Sequence, residues 1–261
     1  MNDLSGQTFV LCHGAWHGGW CWRDVARTLR SFGAEVFTPT MTGMGERAHL
    51  RAACSGLSTY IDDVCGVIEA EELYGVTLVG HSFGGMAITG VADRMAGRMA
   101  GQIPGRIKRL VYLDAAVPKD GQSLITQSIA NSADHNDGLV AHFTAMMAET
   151  NALAVPDVSI LGIETAPQAV QDWDARRMRP HPISSFIEPL NFANGGPTAP
   201  CTYIVCDNPP MPNTSFVAHY DRIVAGIYGD HWTARRINTG HMAMITAVDD
   251  TVELLVEAAL M

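Results

Sequence analysis

Short apolar runs alternate along the chain with segments whose apolar residues recur at helical spacing. The apolar runs predict strands, and the segments between them predict amphipathic helices that end near glycines. This alternation predicts an α/β fold with a mostly parallel sheet that helices cover on both faces. The predicted strands are Thr8–Cys12, Glu35–Thr38, Val76–Val79, Leu110–Leu113, Cys201–Cys206 and Arg235–Asn238. The predicted helices include segments 22–29, 61–68, 86–92, 216–227 and 249–260.

The pattern changes between about Pro118 and Pro200, where prolines, methionines and aromatic residues mix with helix-like pieces and no strand is predicted. We interpret this stretch as an insertion over the carboxyl ends of the strands, where such sheets bind ligands. The chain is therefore expected to form one domain over 1–261, with a core at about 1–118 and 200–261 and a helical lid at about 119–199. Aromatic and methionine side chains could line an apolar pocket there, namely Phe143, Met146, Met147, Trp173, Met178 and Phe186.

Composition restricts the classes of function. The chain is 47% hydrophobic and 17% charged, as is typical of a globular protein. Its net charge of −10 argues against binding nucleic acid or an anionic membrane through a basic surface. No apolar run approaches the ~20 residues of a membrane helix, and no signal segment is visible, so we expect a cytoplasmic protein. The six scattered cysteines are expected to be buried free thiols. Oligomeric state stays open, with a homodimer among the alternatives.

The most informative motif is the G-x-S-x-G run at residues 80–84, which places Ser82 between a predicted strand and a predicted helix. In this context a serine sits on a sharp turn with its hydroxyl exposed. Glycine is expected at Gly80 and Gly84 because a side chain there would collide with the neighbouring strand or helix. The motif predicts a nucleophile, provided that the chain supplies a base and an acid.

His241 is the candidate base, since it follows the last predicted strand and precedes the last predicted helix. A histidine in that loop can reach Ser82 across the carboxyl edge of the sheet. Two carboxylates could orient it. Asp114 directly follows the strand Leu110–Leu113, and Asp207 directly follows the strand Cys201–Cys206. From the residues alone, both acids remain candidates.

The negative charge that develops on a substrate carbonyl needs two backbone N–H donors. One is expected from Phe83, the residue after the nucleophile, and the other from Ala15, in the Gly-containing loop after the first strand. No metal site is expected, because His13 and His17 lack the H-E-x-x-H context. A dinucleotide site is not supported, because no G-x-G-x-x-G follows the first strand, and no cofactor is expected.

These features resemble the α/β-hydrolase superfamily, and more narrowly the branch that contains plant methylesterases, hydroxynitrile lyases and bacterial esterase relatives. The resemblance implies an esterase with a Ser-His-Asp triad. Hydroxynitrile lyases of this branch carry Thr or Asn at the position of Gly14, and those with Thr also carry Lys at Met242, so this chain matches the esterase pattern. The matching segments are Phe9–Trp20, Gly80–Met86, Tyr203–Cys206 and Gly240–Met244.

The resemblance also bears on the choice of acid. In plant esterases of the branch the acid lies after the strand Tyr203–Cys206, but the loop 207–212 departs from their Thr-Glu-Asp pattern. Other members of the superfamily, such as haloalkane dehalogenases and cofactor-independent dioxygenases, place the acid one strand earlier, in the context of Asp114. We therefore predict Asp114 as the third member of the triad.

The expected function is hydrolysis of a carboxylic ester or lactone of a small, largely apolar molecule through an acyl-enzyme on Ser82. The same machinery also serves thioester and carbon–carbon bond hydrolysis. The alternatives are a cofactor-independent oxygenase or lyase on the same fold, and a relative that binds a ligand without turnover.

Overall fold

The computed structural model describes residues 3–97, 105–130, 137–209, 211 and 216–261. Its sheet has six parallel strands in the order β2-β1-β3-β4-β5-β6. The predicted α/β class is confirmed, although the edge strand β6 begins three residues earlier than expected. The strands are β1 (Thr8–Cys12), β2 (Glu35–Phe37), β3 (Val76–His81), β4 (Ile107–Leu113), β5 (Cys201–Cys206) and β6 (Trp232–Ile237).

Helices cover both faces of the sheet. The strand β3 has side chains on both: Leu78 packs in one apolar cluster and Val79 in the other, as the two-residue period of a strand requires. The helices are α1 (Arg23–Ser31), α2 (Leu57–Ala70), α3 (Gly84–Gly97), α4 (Leu124–Ala130), α5 (Asp137–Glu149), α6 (Gln168–Ala175), α7 (Ser184–Ile187), α8 (Phe216–Val224), α9 (Ala243–Thr246) and α10 (Val248–Leu260).

Helices α2 and α10 both begin without a side-chain hydrogen bond from the residue at the cap position. Helix α2 begins at Leu57, so Ser58 lies in its first turn; the carboxylate of Glu188 accepts from the Ser58 N–H at 2.8 Å instead. This acceptor comes from a segment 130 residues away, which local sequence patterns do not reveal. Helix α10 begins at Val248, which puts Asp249 and Asp250 in its first turn. There their negative charges interact favourably with the positive end of the helix dipole.

The segment 119–199, which we call the lid segment, joins β4 to β5 and carries helices α4 to α7. Its described residues contain no strand beyond two single bridges. Where the lid segment leads back to β5, its backbone contacts Asp93 of α3. The carboxylate of Asp93 is buried and accepts from the backbone N–H groups of Ala193, Asn194 and Gly196 at 2.8–3.0 Å. This contact fixes one end of the lid segment to the core.

All six cysteines are buried free thiols, as expected. Burial raises the pKa of Cys12 and holds that of Cys201 at about 12. These thiols therefore remain protonated and unreactive near neutral pH. In the described part of the chain, no helix combines the length and the apolarity needed to cross a bilayer.

Candidate active site

Ser82 lies in the two-residue turn between β3 and α3, with a backbone φ of +55°. This left-handed conformation is rare outside glycine, and it recurs where a fold holds a functional side chain in place. The steric reason predicted for the two glycines is confirmed. A Cβ at Gly80 would lie 2.7 Å from the Gly84 carbonyl oxygen, and one at Gly84 would lie 2.9 Å from the carbonyl oxygen of Cys12.

The structure brings His241 and Asp114 together. The His241 Nδ1–H donates to Asp114 Oδ2 at 2.7 Å, and both side chains are at most 2% exposed. The other carboxylate oxygen, Oδ1, accepts from the backbone N–H of Cys206 at 3.1 Å. Asp114 directly follows β4 and has a φ of +43°. The carboxylate is thus held at both oxygens and aimed at the histidine.

Asp207 lies elsewhere. Its carboxylate accepts from the Arg236 guanidinium at 2.8 Å in a partly exposed ion pair. The hydrogen bond to Asp207 raises the pKa of Arg236. Of the two candidate acids, only Asp114 contacts His241.

A network of side chains fixes the loop after β1. The Nδ1–H of His13 donates to the Gly14 carbonyl at 2.8 Å, and its Nε2 accepts from the Met41 N–H at 3.1 Å. Since the peptide between Gly14 and Ala15 is planar and trans, holding its carbonyl also fixes the direction of the Ala15 N–H. Neither this N–H nor that of Phe83 donates to any group in the described residues. Both remain available to an oxyanion.

There is little free space between Gly14 and the side chains of Ser82 and His81. A Cβ at Gly14 would lie 2.9 Å from Ser82 Cβ and 2.9 Å from His81 Nδ1. His81 itself donates its Nε2–H to the His241 carbonyl at 2.9 Å, and the two rings lie 4.4 Å apart. Burial holds the pKa of His81 well below its usual value, so the ring is neutral. His81 therefore helps to hold the backbone of His241 in place.

Aromatic rings surround the turn, and several were not predicted. The Phe216 ring stacks on His241 at 5.5 Å, and His181 of the lid segment lies 5.0 Å from Phe83. Phe186, a predicted wall residue, lies 5.1 Å from Phe83. Another candidate, Trp173, packs away from this cluster against Trp20. No sequence pattern marks His181 or Phe216, because each reaches the turn only through the folding of distant segments.

The predicted wall residues differ in their surroundings. Phe143 is half-buried and packs against the same apolar cluster as Phe186. Met178 is buried in the cluster on the opposite face of the sheet. Met146 and Met147 are partly exposed on α5. Within the described ranges, no group of three His, Cys, Asp or Glu side chains could hold a metal ion.

Buried histidines predict a loss of stability in acid. Burial lowers the pKa of His13 and of His219 to about 4, and it holds His181 well below its usual value. The unfolded chain, with histidine pKa values near ~6.5, binds protons that the folded chain rejects. We expect the free energy of unfolding to decrease as pH falls from about 6.5 to about 4, by up to ~3 kcal/mol for each such histidine. Urea unfolding at several pH values measures this slope.

Two variants isolate the histidine contribution from that of the carboxylates. His219→Gln should reduce the dependence of the free energy of unfolding on pH, because it removes one histidine with a lowered pKa that lies outside the Ser82 turn. His142→Gln, at an exposed position on α5, should leave the slope unchanged. Equal slopes in both variants would contradict the assignment of the acid sensitivity to buried histidines.

Comparisons with known proteins bear on the family and the fold of the chain. The model of the alpha/beta hydrolase family matches residues 9–254. The chain is 41% identical to a carbendazim hydrolyzing esterase of Nocardioides sp. (strain SG-4G), over 95% of this chain and 97% of that protein. It is 27% identical to methylesterase 2 of Arabidopsis thaliana, over 77% of each chain.

A solved structure also resembles the chain closely. It is an extracellular alpha/beta-hydrolase from a Paenibacillus species, described as sharing structural and functional homology with tobacco salicylic acid binding protein 2. The two structures superpose with a TM-score of 0.75 at 25% identity, over 97% of this chain and 98% of the other. The resemblance predicted from the sequence motifs is confirmed, and the chain belongs to the alpha/beta hydrolase family.

Proposed function

We propose that this protein is a carboxylic ester hydrolase with a Ser82–His241–Asp114 triad. The observation that carries the proposal is the buried His241–Asp114 pair, whose histidine contacts His81, the residue before Ser82. The 41% identity to an esterase over nearly the whole chain supports ester hydrolysis as the reaction. In this proposal residues 1–261 form one catalytic domain, and the lid segment covers the site.

The chemistry follows from which atoms are occupied. Because Asp114 accepts from His241 Nδ1, Nε2 is left as the base. It takes the proton of the Ser82 hydroxyl while Oγ attacks the ester carbonyl, and it then gives that proton to the departing alcohol. Water, deprotonated by the same nitrogen, hydrolyses the acyl-enzyme and regenerates Ser82.

The oxyanion is bound by the N–H groups of Ala15 and Phe83 in this mechanism. Two fixed donors of this kind act where charge develops in the transition state and need no reorganisation. Gly14 leaves room for the substrate carbonyl beside Ser82, since even one added carbon would lie 2.9 Å from the serine Cβ. No cofactor takes part.

The substrate class follows from the surroundings of Ser82. The rings of Phe83, His181 and Phe186 lie 4.6–5.1 Å from one another, and the Trp16 ring lies 6.3–6.4 Å from those of Phe186 and His181. From this aromatic environment we infer a preference for a flat, largely apolar group on one side of the scissile bond. Small esters and lactones with an aromatic or heteroaromatic portion fit it, and carbendazim, named for the 41% identical relative, is one test compound.

A labelling experiment and a substrate panel test the proposal. A serine-reactive fluorophosphonate should add one equivalent to the protein, and peptide mass spectrometry should place the adduct on Ser82. The panel contains p-nitrophenyl acetate and butyrate, an aromatic lactone and carbendazim. A preparation that neither labels nor hydrolyses any of them would overturn the proposal. Oxygen uptake with a heteroaromatic compound, or tight binding without turnover, would then favour the oxygenase or the ligand-binding alternative.

A further inference from the structure

A buried pair of side chains outside the proposed triad joins the lid segment to the loop after β1. His17 Nε2 lies 3.1 Å from Asp174 Oδ1 of α6, and the two side chains are at most 2% exposed. The second ring nitrogen, Nδ1, donates to the Ala15 carbonyl at 2.7 Å. Asp174 Oδ2 is buried and has no hydrogen-bond partner among the residues that the structure describes. Burying a carboxylate in this way is expensive, which calls for an explanation beyond packing.

The atoms that this pair holds are adjacent to a proposed oxyanion donor. The peptide between Ala15 and Trp16 is held at its carbonyl by His17 and contacted at its N–H by His181 Nδ1, at 3.4 Å. Trp16 has a φ of +62°, a conformation that a bulky residue keeps only when its surroundings enforce it. Its own carbonyl accepts from the Arg179 N–H at 2.9 Å.

All these contacts lead to the lid segment. His181 and Arg179 belong to it, and His17 reaches it through Asp174. Next to the pair, Trp20 meets Trp173 of α6 edge to face at 5.0 Å, and Arg23 stacks on the Trp173 ring. From the core side, His13 holds the preceding peptide. The backbone around Ala15 therefore depends on where α6 docks.

We propose that His17 and Asp174 are positioning residues for ester hydrolysis. Together they form a latch, by which the docked lid segment fixes the peptide between Ala15 and Trp16, next to the Ala15 N–H. Asp174 orients the imidazole of His17, and the imidazole fixes the Ala15 carbonyl. This proposal rests on the proposed function, because it takes Ala15 as an oxyanion donor. Loss of the latch slows the chemical step, since a misdirected donor stabilises the transition state less.

Conservative substitutions separate the two bonds of His17. The amide nitrogen of His17→Gln occupies the place of Nε2, so it keeps the contact with Asp174 and loses the Ala15 carbonyl. The amide nitrogen of His17→Asn occupies the place of Nδ1 and has the opposite effect. Asp174→Asn retains the shape and can donate to Nε2 of a neutral His17, which leaves Nδ1–H on the Ala15 carbonyl. Asp174→Ala removes the partner altogether.

Steady-state kinetics with p-nitrophenyl acetate test the latch. We expect kcat to fall at least ~10-fold in His17→Gln and Asp174→Ala, within the ~10²–10³-fold effect of losing a whole oxyanion donor. It should stay within ~3-fold of wild type in Asp174→Asn. In His17→Asn the change should appear mainly in KM, because the lid segment loses its tie while the carbonyl stays held. Equal kcat values for His17→Gln, His17→Asn and wild type would overturn the proposal.

The matched control is Asp93→Asn, which weakens the other buried anchor of the lid segment without touching the loop after β1. It should lower the melting temperature and leave kcat unchanged. A similar loss of kcat in this variant would show that any weakening of the lid segment suffices, against a specific latch. Failure of the proposed function would look different, since the wild-type protein itself would neither label nor turn over.

Hydrogen exchange provides a readout that needs no catalysis. In Asp174→Asn the amides of residues 14–17 and of α6 should exchange as slowly as in wild type. In His17→Gln the amides of residues 14–17 should exchange faster, while those of α6 stay protected. Unchanged exchange at residues 14–17 in His17→Gln would contradict the latch even if that variant lost activity.

Discussion

Replacing Ser82 by alanine is expected to reduce kcat/KM for p-nitrophenyl acetate by about 10⁴- to 10⁶-fold, the range found when a nucleophile of a serine triad is removed. In the proposed mechanism the variant lacks the oxygen that forms the acyl-enzyme, so only the proposed oxyanion donors and the binding groups still act. Steady-state turnover and the phosphonate labelling described above measure the loss, and labelling at residue 82 should disappear.

The fold should tolerate this substitution. The Ser82 hydroxyl has no partner among the described residues, and alanine meets the same backbone demand at a φ of +55°. His241→Gln should lower activity comparably, and the double variant should be little worse than either single one, because triad members act as a unit. Wild-type turnover in Ser82→Ala, with its melting temperature unchanged, would contradict Ser82 as the nucleophile.

The sheet and the turn could be predicted from the sequence because both depend on short-range patterns. Apolar runs of four to six residues mark β1, β3 and β5 wherever the strand is buried on both faces. The edge strand β6 is half-exposed and reads W-T-A-R-R-I, and only its last part was recognised. The position of Ser82 follows from the close packing at Gly80 and Gly84, which glycine alone permits.

The contacts made by the lid segment could not be predicted. His17 and Asp174 are 157 residues apart, and nothing near Asp174 distinguishes a buried carboxylate from a solvated one on an amphipathic helix. The hydrogen bond from the Ser58 N–H of α2 to Glu188 is likewise a contact between distant parts of the sequence. Each of these contacts depends on how α6, α7 and the connecting loops dock on the core. The choice between Asp114 and Asp207 is intermediate, since each acid ends a strand and only the direction of its side chain distinguishes them.

Asp114→Asn is expected to lower kcat by about 10²- to 10⁴-fold, through the wrong tautomer of His241. The Cys206 N–H decides this outcome. It donates to Asp114 Oδ1, so an asparagine keeps its carbonyl oxygen there and turns its NH₂ group towards His241. That NH₂ donates to Nδ1, which places the imidazole proton on Nε2 and removes the base. Steady-state kinetics measure the fall in kcat, and KM should change little because Asp114 is buried behind His241.

Asp207→Asn is the matched comparison, since it makes the same chemical change at the other candidate acid. It weakens an exposed ion pair with Arg236, of a kind that contributes little to stability because solvent screens it. Its kcat should stay within about threefold of wild type, because no described atom of Asp207 contacts His241. A larger loss from Asp207→Asn than from Asp114→Asn would reverse the assignment, and it would require the loop after β5 to move its carboxylate from Arg236 to the histidine during catalysis.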